Sequence, residues 1–579
     1  MASIYDKSSL VLIPSGTKTG KVYSQKPVSG DGDFTFTRSS AATRVNASGN
    51  IEKETQNLLL QSNTFSNASW NKNAGGTFTS GQAGYDGSND AWQFDVTTAS
   101  NSGAWQNVTL SGVATFSAYF KKGTIDKVGF TNYAGSAYEC WFDLTNGTIG
   151  QQTGDLIDAE IVSVGNGWYR CSITDIASGN NYLQLKPSNA YSGTSTAGNI
   201  YIQDAQLEQG LVARDYIETT TTAVEGGITD NVPRLDYTDS SCPALLLEPQ
   251  RTNLVMQSEL FNVDTSWLAS GRPAVETNII DSPEGIQNAS RLTYGAGNVL
   301  RYQQELTFTN GYSYSIFVKK DVGRYVTIYA AFFTTTATIG FDLDEGTCQA
   351  GGVIEPYGDG WYRISVSKSV AGDADKSGYF YLYSTNALGS TISTNGNKIY
   401  VYGAQIEEGS YATSYIPTYG SSVTRVGELC VKTGISNLIG QTEGVVYFEW
   451  DYQNTGSSGG NIIMSLAGAS LQELYFWVKA DGTYVYDVYD STKQAGISGS
   501  MGSFGTKKIA LAYKNNDFVL YINGVLAGSD TSGSVPTLTD VYIGRYALNT
   551  NYNIASGVKQ ALLFKTRLSN EELAALTTI

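Results

Sequence analysis

The chain has 579 residues, with 37 Lys and Arg against 53 Asp and Glu, a net charge of −16 and no histidine. Its length predicts three or four domains, each able to bury a core, and its acidity argues against nucleic acid or membrane insertion as a partner. The missing histidine excludes a Ser-His-Asp triad, a Cys-His pair and any His-ligated metal, so a hydrolase here would work with carboxylates alone.

Tyrosine (39) and glycine (63) are abundant. Strands favour aromatics and turns favour glycine, which predicts an all-β protein. The same composition suits carbohydrate binding, because flat aromatic faces pack on sugar rings, although most tyrosines are expected in the β-rich core. The five cysteines are widely spaced and form no CxxC. They predict buried free thiols in a chain folded in reducing cytoplasm, with no disulfide framework or zinc site. Ser9-Leu10-Val11-Leu12-Ile13-Pro14 is too short for a signal peptide and is broken by proline.

Residues 1–55 are polar, rich in Gly and Ser, and lack a core-sized apolar pattern. They predict an N-terminal arm that docks by strand addition on a partner or on the first module. Two copies of one sequence follow. Asn57-Leu58-Leu59-Leu60-Gln61-Ser62 returns as Asn253-Leu254-Val255-Met256-Gln257-Ser258, an offset of 196 (253 − 57). Gly167-Trp168-Tyr169-Arg170 returns as Gly360-Trp361-Tyr362-Arg363, an offset of 193 (361 − 168). A period this long means whole domains in tandem, since solenoid repeats run to roughly 20–50 residues. Predicted boundaries are module 1 over 56–222, a connector over 223–250, module 2 over 251–420 and a different domain over 421–579. A three-residue signal, Thr43-Arg44-Val45, Pro233-Arg234-Leu235 and Thr424-Arg425-Val426, precedes each main domain. Its arginines are expected to pair with carboxylates and set domain orientation.

In the last domain Lys508–Tyr513 leads into a hairpin whose Asn523-Gly524 turn favours type I′. Ser569 and Glu572 form a capping box, and Leu568 and Leu573 a hydrophobic staple, around a short C-terminal helix.

Tyr521-Ile522-Asn523-Gly524, Tyr542-Ile543-Gly544-Arg545 and Leu568-Ser569-Asn570-Glu571-Glu572-Leu573 resemble the laminin-G or concanavalin A-like jelly roll over about the last 150 residues. The resemblance implies glycan or protein binding, and calcium in this C-terminal domain is the one cofactor it admits, with no ligand set assigned. Phe34-Thr35-Phe36-Thr37-Arg38-Ser39-Ser40-Ala41-Ala42-Thr43-Arg44-Val45, Gly49-Asn50-Ile51-Glu52 and Asn57-Leu58-Leu59 are similar to the opening of tail or fibre proteins of tailed bacteriophages, including crAss-like phages, that carry carbohydrate-binding-module-like jelly rolls. The expected fold is tandem jelly-roll β-sandwiches, two duplicated modules followed by a concanavalin A/laminin-G-like sandwich. The resemblance implies a non-enzymatic virion appendage, assembled in the host cytoplasm and held to the particle by the arm of residues 1–55, whose partners are other virion structural proteins, further copies of itself (as a trimer) and bacterial surface polysaccharide. A purely structural collar, muzzle or head decoration is the alternative, and a polysaccharide depolymerase the third.

Trp168 and Trp361, repeated in a strand, are expected in the core, as are Trp70 and Trp267. Tyr169 and Tyr362 beside them face the opposite side of a regular strand. Trp92, Trp105 and Trp141 are not repeated, so the shared scaffold needs them less. These three and the two tyrosines are the candidate glycan platforms. Glu208 and Glu407 could serve a glycosidase only with a partner carboxylate about 5–9.5 Å away; binding the connector arginines or loop amides is their expected role.

Overall fold

A computed structural model describes residues 4–73, 75–97, 103–132, 138–154, 156–191, 197–263, 266–308, 311–332, 336–369, 376–452, 461–479, 481–545 and 556–579. Among these residues the chain is all β apart from a 3-10 turn at Ile4–Lys7 and one α-helix, Asn570–Thr577. That helix carries the predicted capping box: Ser569 accepts from the Glu572 amide and the Glu572 carboxylate from the Ser569 amide. Leu568 and Leu573 are buried beneath it. The Asn523-Gly524 turn has φ of 49° and 80°, the two left-handed residues a type I′ hairpin requires.

The two repeats fold alike. Module 1 packs the sheet Asp158–Gly165, Trp168–Ala177, Gly112–Lys122, Gly198–Gln209, Ala91–Val96, Gly76–Gln82 against the sheet Thr148–Thr153, Tyr138–Asp143, Lys127–Asn132, Asn180–Ser188, Ala104–Thr109, Asn71–Lys72. Module 2 repeats this order with Gly352–Pro356, Trp361–Ser369, Gly311–Lys320, Lys398–Glu408, Ala289–Thr293, Ala274–Ile280 and with Thr347–Cys348, Thr336–Asp342, Tyr325–Phe332, Lys376–Thr385, Leu300–Arg301. The repeated Asn-Leu motif closes each module. Asn57 is fully buried and donates to the carbonyls of Ala205 (3.1 Å) and Ile217 (2.8 Å). Asn253 does the same to Ala404 (3.1 Å) and Ile416 (2.8 Å), tying chain entry to chain exit. Glu208 and Glu407 are buried on loop amides as expected: Glu208 accepts from Arg214 N (2.9 Å) and Glu407 from Thr413 N (2.8 Å).

The third sandwich departs from the sequence reading. Its eight-stranded sheet takes Leu10–Leu12 from the N-terminus, with Arg234–Asp236 and Ala244–Leu247 from the connector. Its nine-stranded sheet begins Thr17–Lys18, Lys21–Val22, Phe34–Thr37, and only then reaches Leu429–Lys432. Leu10, Leu12, Val22, Phe34 and Phe36 lie in its core. The predicted arm is therefore strand-added, but to the C-terminal sandwich of its own chain.

Buried charge joins the parts. Arg234 pairs with Glu248 (2.8 Å) and with Glu428, Arg425 with Glu248 (2.8 Å), and Arg38 with Glu428 (2.8 Å). All three guanidinium groups are excluded from solvent. Arg44, expected in this role, instead pairs with Glu52 at the half-exposed hairpin Arg44–Val45/Ile51–Glu52, and Arg38 takes its place. A second buried cluster joins the two modules. Lys53 pairs with Glu259 and Glu284 (both 2.7 Å), and Arg214 of module 1 reaches Glu284. Burial alone would depress the Lys53 ammonium, but the two carboxylates outweigh it and hold its pKa above the usual value. The five cysteines are free; Cys140, Cys171 and Cys430 are buried, whereas Cys348 is half-buried and Cys242 exposed, contrary to expectation.

Candidate functional site

Strand alternation decides which aromatics each module presents. In Lys376–Thr385, Phe380 and Leu382 point into the module 2 core, so Tyr379, Tyr381 and Tyr383 lie on the opposite face, half-buried. The register sets Tyr381 between Tyr329 and Arg301, and Tyr383 beside Thr327. The Tyr381 and Tyr383 rings are nearly parallel, with centroids 6.2 Å apart and planes at 15°, and Tyr329 leans on Tyr381 at 5.5 Å. The Arg301 guanidinium lies 4.3 Å from the centre of the Tyr379 ring and 5.8 Å from that of Tyr381. Burial, with Tyr381 and Tyr329 alongside, raises the pKa of the Tyr383 hydroxyl, so this phenol stays neutral. The result is a row of phenol rings with one cation across it.

Module 1 fills the same positions differently. By register, Trp105 stands where module 2 has Arg301, and Tyr182, Gln184 and Lys186 stand for Tyr379, Tyr381 and Tyr383. Trp105 and Tyr182 pack at 5.0 Å and 33°. Lys186 is bound to Glu139 at 3.2 Å. Trp141 is on this face but only 1% exposed. It lies against Gly129, where a Cβ would come within 2.9 Å of its ring atoms. A ring so covered has no face for a sugar, so Trp141 is a packing residue and not a platform.

The five predicted platform residues do not form one site. Two of them, Trp105 and Trp141, lie on the aromatic face, and of these Trp105 is half-buried and Trp141 buried. Trp92 is in the other sheet, packed against the core with its indole N–H donating to the Asn63 carbonyl (2.8 Å). Tyr169 and Tyr362 are partly buried against their own cores, over the turn glycines Gly147 and Gly346. Trp168 and Trp361 are buried as expected, but on the far side of their sheet from the module core. Trp168 is covered by Tyr85, Tyr119 and Tyr201, and Trp361 by Ile51, Phe317 and Tyr402. Trp70 and Trp267 are buried, each indole N–H donating at 3.0 Å, to the carbonyls of Gln61 and Gln257. Sequence reasoning missed Arg301, Tyr329, Tyr379, Tyr381 and Tyr383, although the alternation Tyr379-Phe380-Tyr381-Leu382-Tyr383 carried the signal.

A cleft of about 140 Å³ opens where the connector, module 2 and the third sandwich meet, lined by Asp236, Glu355, Tyr357, Arg363, Tyr411 and Asp451 among others. Burial raises the Glu355 carboxyl. Asp236 is committed to the Val45 amide (2.9 Å) and Asp451 to Lys559 (2.8 Å). Among the described residues no group of three or more Cys, Asp or Glu side chains could hold a metal ion, so the calcium expectation gains no ligand set.

No family model matches the chain, and no curated protein matches it in sequence. Among solved structures it is similar to the CBM40 module of the Ruminococcus gnavus IT-sialidase, over 25% of this chain and 91% of that one, at 14% identity and a TM-score of 0.21. It is also similar to the NanB sialidase from Streptococcus pneumoniae, over 25% of each chain at 12% identity and a TM-score of 0.21. A third is the SAP-like pentraxin from Limulus polyphemus, over 23% of this chain and 68% of that one, at 15% identity and a TM-score of 0.19. Likeness at this level assigns no role to any residue here.

Proposed function

We propose that this chain is a non-catalytic virion appendage of the tail or fibre type, which binds bacterial surface glycans through the outward aromatic faces of its modules. The observation that carries the reading is the row Tyr329, Tyr379, Tyr381, Tyr383 on one sheet face. Half-buried phenols in register offer flat apolar surface with a polar rim, which suits a pyranose ring with its edge hydroxyls. Such sites are shallow and weak, so copy number supplies avidity, in the two modules of one chain and in an oligomer of chains. Attachment to the particle through other virion proteins belongs to the same proposal.

The test is glycan-array binding by the purified full chain, followed by titration calorimetry with the best ligand. Tyr381→Ala is expected to weaken binding at module 2 about tenfold or more, since loss of a stacked ring costs on the order of 1–3 kcal/mol. Trp105→Ala should weaken whatever module 1 binds. A folded protein that binds no glycan would overturn the reading in favour of a structural collar or decoration. Release of reducing ends from capsule, abolished by Glu355→Gln, would instead favour a depolymerase acting in the junction cleft.

A further inference from the structure

Arg301 is the odd member of the module 2 face. Its neighbours there, Tyr329, Tyr379, Tyr381, Tyr383 and Thr327, are all uncharged side chains. Three arginines elsewhere in the module have carboxylates within ion-pair distance: Arg291 with Glu276, Arg324 with Asp342 (2.6 Å), and Arg251 with Glu407 (3.7 Å). Arg301 has no carboxylate partner among the described residues, and its buried Nε has no hydrogen-bond acceptor. What holds it is the Tyr379 ring, whose centre lies 4.3 Å from the guanidinium carbon and attracts the cation. A guanidinium without a carboxylate partner has its planar fork to offer, and that fork matches a carboxylate bidentately.

We infer that the module 2 face selects a carboxylate-bearing saccharide, with the Arg301 fork on the acid and the tyrosine row under the pyranose ring. The inference rests on the glycan-binding reading and adds the ligand's charge class. Charge complementarity argues for it. In a chain of net charge −16 a partly desolvated cation without a protein counter-ion is costly, and an anion from outside offsets that cost. Module 1 lacks the device, because Trp105 replaces the arginine and Lys186 is already bound to Glu139. The two modules therefore differ in specificity: module 2 takes acidic sugars, whereas module 1 has no charged discriminator.

The experiment pairs each acidic probe with its carboxyl-reduced counterpart. Oligomers of glucuronate and galacturonate, and sialyllactose, are titrated into the full chain. At least one acid should bind about tenfold tighter than its reduced form, the scale of one charge-assisted contact, and the advantage should shrink as salt rises. Arg301→Gln and Arg301→Lys should both erase that advantage, each weakening the acid more than its reduced form. Lysine keeps the charge but not the fork, so it separates bidentate recognition from simple attraction. Tyr381→Ala should weaken both forms. If acid and reduced forms bind equally, or if Arg301→Gln leaves the preference intact, the inference fails and the glycan-binding reading survives. If no saccharide of either class binds, both fail.

Discussion

At the scale of single residues, burial and phase separate platforms from packing. Tryptophan is the residue most readily taken for a sugar platform, yet Trp70, Trp141, Trp168, Trp267 and Trp361 are all at most 2% exposed. Absence from the repeat does not make a tryptophan available: Trp141 is matched by Gly340 in module 2, and there the loop at Gly389 fills the space instead. The useful signal was period two in the tyrosines. A strand with Phe380 and Leu382 in the core must turn Tyr379, Tyr381 and Tyr383 the other way. Arg301 was not legible, because only the pairing of distant strands sets it beside them. Trp361 gives a residue-scale prediction. It lies under Ile51, Phe317 and Tyr402, and its indole N–H donates to the Asp281 carbonyl (3.1 Å). Trp361→Ala should destabilise the protein by about 3–5 kcal/mol, as loss of a large buried aromatic does, read as a lower urea midpoint. An unchanged midpoint would show the indole to be dispensable.

At the scale of elements, the N-terminal strands carry more than their length suggests. The Phe34–Thr37 strand alternates buried and exposed, with both phenylalanines fully buried. That alternation was present in the sequence, but strands of two to four residues cannot form a domain, so the segment read as an arm. What could not be read was its partner: Phe34–Thr37 pairs with Leu429–Lys432, nearly four hundred residues away. Deleting residues 1–37 removes five fully buried side chains from the third core: Leu10, Leu12, Val22, Phe34 and Phe36. It also bares the edges of Ser556–Phe564 and Leu429–Lys432. Each lost side chain is worth roughly 2–5 kcal/mol, and a domain has only about 5–15 kcal/mol in total. The truncated chain should therefore lose the C-terminal sandwich, seen as rapid proteolysis after residue 420 while the two modules persist. A truncated protein with an intact, protease-resistant third domain would show that these strands merely decorate it. An arm docked on a partner or on the first module, as the sequence predicts, would leave the third domain intact after such a truncation; the observed pairing reverses that expectation.

At the scale of the whole molecule, the connectors converge on one buried charge cluster. Arg38 comes from the N-terminal segment, Arg234 and Glu248 from the connector, and Arg425 and Glu428 from the chain after module 2. The repeated Thr-Arg and Pro-Arg signals had marked two of the three arginines. The third was misplaced because Arg44 and Arg38 sit in similar sequence, and only the fold shows that Glu52 captures Arg44. This cluster should govern acid stability. Burial alone would raise the Glu248 carboxyl, but Arg425 and Arg234, with the Ser414 hydroxyl and amide, outweigh it and hold its pKa well below the usual carboxylate range. A carboxyl whose folded pKa lies below its unfolded value of about 4.3 contributes stability in full above that value. The contribution is lost as pH falls from there toward the folded pKa, because the unfolded state binds the proton first. Tm should therefore be flat from about pH 8 to 5 with respect to this group and fall steeply below about pH 4. Glu248→Gln keeps the shape but removes the charge, leaving Arg425 without its only carboxylate partner within ion-pair distance among the described residues and Arg234 with Glu428 alone. Breaking a buried pair costs on the order of 3–5 kcal/mol, so the variant should melt lower at pH 7 and show a shallower acid slope. The slope decides the matter: a variant destabilised at pH 7 but with the wild-type acid slope would mean that other carboxylates, not Glu248, set the acid limit of the junction.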